Sequence, residues 1–163
     1  MYRQSAPVYD RFLANLSKIL EKTEEHCAAT GIKPEVFMGL RLFPDMFPLA
    51  RQVQLACDFA ARGVARLCGA EPKSFPDTET TLAELQGRIA AARAYIAEFG
   101  PDQFDGAATR AIHLKLRMME LNLTGEDFLH TYSMPQFFFH VTTAYDILRA
   151  NGVALGKRDY MGG

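Results

Sequence analysis

Apolar residues recur at intervals of three and four positions along four stretches of this chain, which glycines and prolines separate. That spacing places the apolar side chains on one face of an α-helix, and such a face must be buried against another element. The pattern predicts long helices over 5–30, 48–67 and 78–99, and a final helix over 124–150. Pro135 falls inside the final helix, where it removes one backbone donor and should kink or restart the helix.

The remaining segments predict how the helices are joined. Residues 32–47 are too apolar for a solvated loop and should cover one end of the core. Apolar and polar residues alternate strictly in two runs within 110–124, which predicts a small β-hairpin. Gly63 and the alanines of the second helix should allow a neighbouring helix to approach closely. The predicted fold is all-α: an antiparallel four-helix bundle, a single domain over 1–163, with a small β-hairpin insertion before the last helix.

Composition and charge exclude several classes of protein. The 163 residues include 18 Lys+Arg and 19 Asp+Glu, interspersed, so no basic stripe is present for a nucleic acid. No apolar run approaches the roughly 20 residues that span a bilayer, and residues 1–12 lack the apolar core of a signal peptide. The 3 cysteines form no Cys-x-x-Cys pair, which argues against a disulfide framework and a cysteine zinc site. We therefore expect a cytoplasmic protein that binds neither nucleic acid nor membranes.

His140 is the best candidate for chemistry, because it lies on the apolar side of the last helix. A buried imidazole needs a partner for each nitrogen. Two interpretations are open: a core histidine hydrogen-bonded to a neighbouring helix, or a ligand or acid–base group. Gln52, at the edge of the apolar arc of the second helix, should face it, whereas Gln54 and Asp58 lie towards the polar side. Gln136 lies one turn before His140 and shares its stripe.

His130 is a weaker candidate, because it lies ten residues before His140. On an unbroken helix that separation is about 15 Å, too far for both to bind one metal directly. We expect a local polar contact, unless a strong bend at Pro135 brings the two together. The chain has no Gly-x-Ser-x-Gly, no glycine-rich phosphate loop and no His-Glu-x-x-His. No catalytic residue is therefore assigned.

Phe138 and Phe139 flank the apolar arc of the last helix on both sides. A helix that is aromatic beyond its core stripe buries the surplus against something else. Either residues 34–47 or the hairpin covers these rings, or the rings form a homodimer interface.

Four segments carry a family resemblance: 44–60 (PDMFPLARQVQLACDFA), 75–89 (FPDTETTLAELQGRI), 135–149 and 151–160 (NGVALGKRDY). They resemble a bacterial family of unknown function, domain-of-unknown-function family 1993, placed in the DinB-like superfamily of four-helix bundles. The resemblance covers nearly the whole chain and implies a bundle with a long crossover, often dimeric.

The resemblance also implies a metal site against which this chain can be compared. Many members of the superfamily bind a divalent metal through three histidines, one from the second helix and a His-x-x-x-His pair from the last. Some of them transfer or isomerise thiol-linked substrates. By this resemblance His140 would be the second member of the pair, whereas its first member falls on Gln136 and the second-helix position falls near Gln52. One imidazole with two amides is a poor site for zinc or nickel.

We interpret the chain as a DinB-like bundle that is non-catalytic or binds a small ligand, with a degenerate metal site and pocket residues His140, Gln136, Gln52 and His130. The alternative is a divalent-metal-dependent DinB-like enzyme, of the thiol-linked transferase or isomerase type, that uses His140. The first interpretation needs no cofactor and the second needs a divalent metal. The expected partners are a second copy, forming a homodimer, and a small-molecule ligand.

Overall fold

Four long helices form the body of the protein, as the periodicity predicts. The computed structural model describes all 163 residues. In chain order the helices are α1 (Ala6–Thr30), α2 (Glu35–Met38), α3 (Leu49–Leu67), α4 (Leu82–Ala97), α5 (Gly125–Asp127), α6 (Met134–Ala150) and α7 (Lys157–Met161). Short 3-10 turns lie at Tyr2–Gln4 and Pro101–Phe104. None of the helices combines the length and the apolar character that crossing a bilayer requires.

The start of α4 lies later than the periodicity predicts. The side chain of Thr81 accepts a hydrogen bond from the backbone of Glu84, and the Glu84 carboxylate accepts one from the backbone of Thr81. This reciprocal capping box begins the helix at Leu82 rather than at residue 78. Residues 70–81 consequently form a long connection without regular secondary structure.

The long helices surround one core. α3 packs against both α4 and α6, and α1 packs against α4, with smaller contacts to α3 and α6. The core is a cluster of 39 buried hydrophobic residues, which includes side chains from all four long helices. The rings of Tyr9 and Phe137 meet edge to face near its centre, with 4.9 Å between their centroids.

Gly63 allows α3 to approach the chain that enters α6, as predicted. A Cβ atom at this position would lie 2.5 Å from Ser133 Oγ and 3.2 Å from Tyr9 Oη. The space is occupied instead by a buried hydrogen bond of 2.8 Å that Tyr9 donates to Ser133.

The predicted hairpin is confirmed, with β1 (Ala111–Lys115) antiparallel to β2 (Glu120–Thr124). Ile112 pairs with Leu123 and Leu114 with Leu121. The two β1 side chains are buried against the bundle and their β2 partners are half-buried. The alternation of apolar and polar residues therefore predicted which face of the hairpin packs on the core.

The chain accommodates Pro135 by a π-helical turn within one continuous helical segment. A π-helical turn (Phe128–Ser133) precedes α6, and its wider ring is closed by the Met134 N–H donating to the carbonyl of Leu129. Pro135 then lies at the beginning of α6, where a missing N–H costs little. The helical backbone continues from Gly125 to Ala150, so the predicted restart at Pro135 is wrong.

The prediction that residues 32–47 cover the core is wrong for most of that segment. Phe37 and Met38 are buried, but Phe43 and Phe47 are 63% and 55% exposed. The prolines at 44 and 48 interrupt regular structure, so the segment turns away from the core before α3 begins.

Candidate functional site

The structure brings Gln52 of α3 and His140 of α6 together inside the bundle. Both side chains are buried, with 1% and 5% of their surface exposed. His140 Nδ1 lies 2.7 Å from Gln52 Oε1. The sequence pattern predicted that these two residues face each other, and they do.

The orientation of the Gln52 amide determines which ring nitrogen of His140 carries the proton. Gln52 Nε2 donates a hydrogen bond of 3.0 Å to the carbonyl of Phe47, which leaves Oε1 facing the imidazole. An amide oxygen only accepts, so His140 Nδ1 must be the donor. The Nε2 atom of the neutral ring therefore keeps its lone pair.

Two aromatic rings enclose the imidazole. Phe59 stacks on it with 5.5 Å between ring centroids, and Phe139 meets it edge on at 5.3 Å. Burial, and secondly the positive charge of Arg51, lower the pKa of His140 from 6.5 to about 4. The ring is therefore neutral at neutral pH.

The other two predicted pocket residues do not contact this pair through hydrogen bonds. Gln136 lies half-buried one turn before His140, and its amide makes no hydrogen bond within the chain. His130 is exposed on the π-helical turn, and its ring also has no hydrogen-bond partner there. A role for Gln136 or His130 in binding stays a prediction.

The donor atoms at this place do not fit a zinc or nickel ion. Nowhere in the chain do three His, Cys, Asp or Glu side chains converge. Both polar atoms of the Gln52 amide are already engaged, one by His140 and the other by Phe47. A single imidazole nitrogen remains, whereas such ions take three or four nitrogen, sulfur or carboxylate ligands.

The sequence analysis missed a second polar cluster, centred on Arg88 of α4. Arg88 is 4% exposed, and its guanidinium contacts Asp58 at 2.7 Å, Glu79 at 3.0 Å and Asp77 at 3.2 Å. It also lies over the ring of Phe75, 5.2 Å from its centroid. The detectable signal was a cation within an apolar stripe, because Arg88 lies between Leu85 and Ile89.

This cluster corrects the placement of two residues on α3. Gln54 and Asp58 were expected towards the polar side, but they are 6% and 4% exposed. The connection 70–81 folds back over that side of α3, where Glu79 accepts a hydrogen bond of 2.9 Å from Gln54. Arg51 joins the cluster through an ion pair with Asp77.

The pKa of Asp77 reflects the balance between burial and the positive charges of the cluster. Partial burial raises the pKa of Asp77, but hydrogen bonds from Arg51 and Arg88 and their positive charges outweigh burial and hold that pKa below its usual range. Arg88 Nε is the one fully buried side-chain polar atom without a hydrogen-bond partner. The cluster fixes the 70–81 connection to α3 and α4.

The architecture is that of a DinB-like antiparallel four-helix bundle with a small β-hairpin before the last helix. The crystal structure of a DinB family member protein from Shewanella denitrificans is 41% identical in sequence, covers 99% of this chain and 92% of that chain, and superposes with a TM-score of 0.94. The model of a domain of unknown function, DUF1993, matches residues 1–161. A comparison with curated proteins finds no match. The chain belongs to the DUF1993 family.

Proposed function

We propose that this protein is a non-catalytic, small-ligand-binding DinB-like bundle in which a hydrogen bond replaces the metal site. The observation that carries the proposal is the buried contact between His140 Nδ1 and Gln52 Oε1, with the other end of the amide bound to the Phe47 carbonyl. The buried Gln52 amide thus has a hydrogen-bond partner at each end without any ion. The degenerate site therefore has a structural role.

One atom of the pair remains available to a ligand. His140 Nε2 makes no hydrogen bond, yet it is not among the fully buried polar atoms that lack a partner. Its lone pair would accept a hydrogen bond from a small polar molecule, with the half-buried Gln136 amide one turn away. This arrangement supports ligand binding at His140 and Gln136 rather than acid–base chemistry, because the ring is a weak base with a pKa of about 4.

Metal analysis of protein purified without a histidine tag tests the proposal. We expect well under one divalent ion per chain in the wild type. The matched control is the double variant Gln52→His/Gln136→His, which restores three imidazoles around the same place and should bind about one zinc ion per chain. One tightly bound divalent ion per wild-type chain would instead support the enzyme alternative that uses His140.

We further propose that the protein forms a homodimer through the exposed rings near the His140 site. Phe138 is covered within the chain by Phe12 of α1, at 4.9 Å between centroids, whereas Phe139 is 54% exposed. Phe47, whose carbonyl binds Gln52, is exposed as well. Exposed aromatic side chains that gather on one face are typical of protein interfaces.

Size-exclusion chromatography with light scattering tests the homodimer. The wild type should elute at twice the chain mass of 18.2 kDa, and Phe139→Glu should shift it towards the monomer, because a charge at the centre of an apolar interface is costly. Met118→Glu is the control, since Met118 is 94% exposed at the hairpin tip. A wild-type monomer at micromolar concentration would rule the homodimer out.

The cysteines and the hydrophobic core bear on the compartment and on the domain organisation of the protein. The three cysteines are free thiols, two of them buried, which supports a reducing compartment such as the cytoplasm. The single cluster of 39 buried hydrophobic residues supports the interpretation of 1–163 as one domain.

A further inference from the structure

A cavity of about 260 Å³ lies between α3, the β1 strand and the π-helical turn. No candidate residue from the sequence analysis lines it. Its wall includes three aromatic rings, Phe59, Phe128 and Tyr132. Tyr132 lies 5.9 Å from Phe128 and 6.0 Å from Phe59, measured between ring centroids. The rings form an apolar, aromatic lining that suits a flat apolar group.

The charged side chains of this cavity leave an excess of positive charge. Its one acidic residue, Asp58, is already paired with Arg88 from inside the bundle and with Arg62, at 2.7 Å and 3.0 Å. Arg66 is half-buried in the same wall and makes no ion pair or hydrogen bond. Lys115 of β1 adds a further cation at the cavity.

The surroundings of Arg66 favour an anion beside it. Burial, and secondly the charge of Arg62, lower the pKa of Arg66, and they outweigh the opposing effects of Tyr132 and Glu71. The Arg66 guanidinium makes no direct ion pair, and its five N–H groups form a fixed fork that matches a carboxylate. An anion beside Arg66 would supply the hydrogen-bond acceptors that Arg66 lacks and would offset the repulsion from Arg62.

We propose that this cavity binds a small carboxylate that carries an aromatic ring, with the carboxylate on Arg66 and the ring against Phe59, Phe128 and Tyr132. A singly charged group is the better match than a phosphate dianion, because Arg62 is committed to Asp58 and Arg66 is the one unpaired guanidinium there. The site goes beyond the proposed function and does not depend on the state of His140. Phe59 stands between the two places: one face of its ring stacks on His140 and the residue also lines the cavity.

An NMR titration of the ¹⁵N-labelled full chain with phenylacetate tests this site. We expect saturable shifts at the amides of residues that line the cavity. Arg66→Met should weaken the affinity about tenfold or more, because it removes a charge-assisted bidentate contact. Lys18→Met on the exposed side of α1 should leave the affinity unchanged. The thermal midpoint of Arg66→Met should stay near that of the wild type, since Arg66 has no partner to lose.

Two neutral or inorganic probes decide the ligand class. Phenylacetamide, which lacks the charge, should bind about tenfold more weakly than phenylacetate, and inorganic phosphate should not compete with it at equal concentration. Absence of saturable shifts with phenylacetate would overturn the site. Equal binding of phenylacetamide, or effective competition by phosphate, would overturn the assignment to an aromatic carboxylate.

Discussion

Arg88→Met is expected to lower the free energy of unfolding by about 3–5 kcal/mol. The substitution removes the cation from a buried cluster and leaves Asp58, which is 4% exposed, without its inner partner. Breaking one side of a buried ion pair is far more destabilising than removing the whole pair, because the remaining charge stays desolvated. For a chain of this size the thermal midpoint should fall by roughly 6–20 °C.

Urea unfolding of three variants separates the loss of the buried ion pairs from a general loss of packing. Arg93→Met, on the same helix, breaks an exposed pair with Asp10 and should change the free energy of unfolding by about 1 kcal/mol or less. Asp58→Asn in the Arg88→Met background removes a buried carboxylate that would keep only its ion pair with Arg62, and it should recover part of the lost stability. If Arg88→Met is no more destabilising than Arg93→Met, the Arg88 cluster does not hold the 70–81 connection in place.

His140→Leu is expected to lower the free energy of unfolding by about 1–3 kcal/mol at neutral pH, because Gln52 Oε1 loses its buried donor. The difference from the wild type should shrink as the pH falls. In the folded wild type the pKa of His140 is about 4, and in the unfolded chain it returns to 6.5. Between these values the unfolded state binds the proton first, so the wild type loses stability as the pH decreases.

The size of this pH effect follows from linkage. A difference of roughly 2.5 pKa units corresponds to about 3 kcal/mol, lost progressively from pH 6.5 down to about 4. His140→Leu lacks the titrating ring and does not suffer this loss. Urea unfolding at pH 7.0, 5.5 and 4.0 measures the two curves. Parallel curves over that interval would contradict a buried, neutral His140.

His130→Gln is the matched control for this experiment. His130 is exposed and its ring makes no hydrogen bond within the chain. Its replacement should change the free energy of unfolding by less than about 0.5 kcal/mol. A larger loss would show that His130 contributes to the core.

The Arg88 cluster and the cavity between α3, β1 and the π-helical turn share one residue. This residue connects the stability of the bundle with the proposed binding of a carboxylate. Asp58 faces Arg88 on the inner side and lines the cavity on the outer side. Because Asp58 is shared between Arg88 and Arg62, it does not also cancel the positive charge of Arg66. The buried cluster therefore sets the charge that a ligand would meet.

Periodicity was sufficient to predict the four long helices and the hairpin, but not the start of α4 or the short helix α7. The predicted helix over 48–67 differs from α3 by one residue, and the alternation in 110–124 located both strands. Periodicity also predicted that His140 and Gln52 face each other, because each lies on or at the edge of the apolar arc of its own helix. These properties are local, since a side chain's direction around its own helix axis follows from its position in the chain.

Only the tertiary structure decided what covers each helix face. Asp58 and Gln54 lie towards the polar side of α3, yet they are buried because the 70–81 connection folds over them and supplies Glu79. Arg88 gained its partners, and the cavity beside Arg66 its walls, from segments tens of residues apart in the chain. Helical spacing gives the angle of a side chain but no information about which distant segment will pack there, and that packing determines whether a charge is solvated or buried.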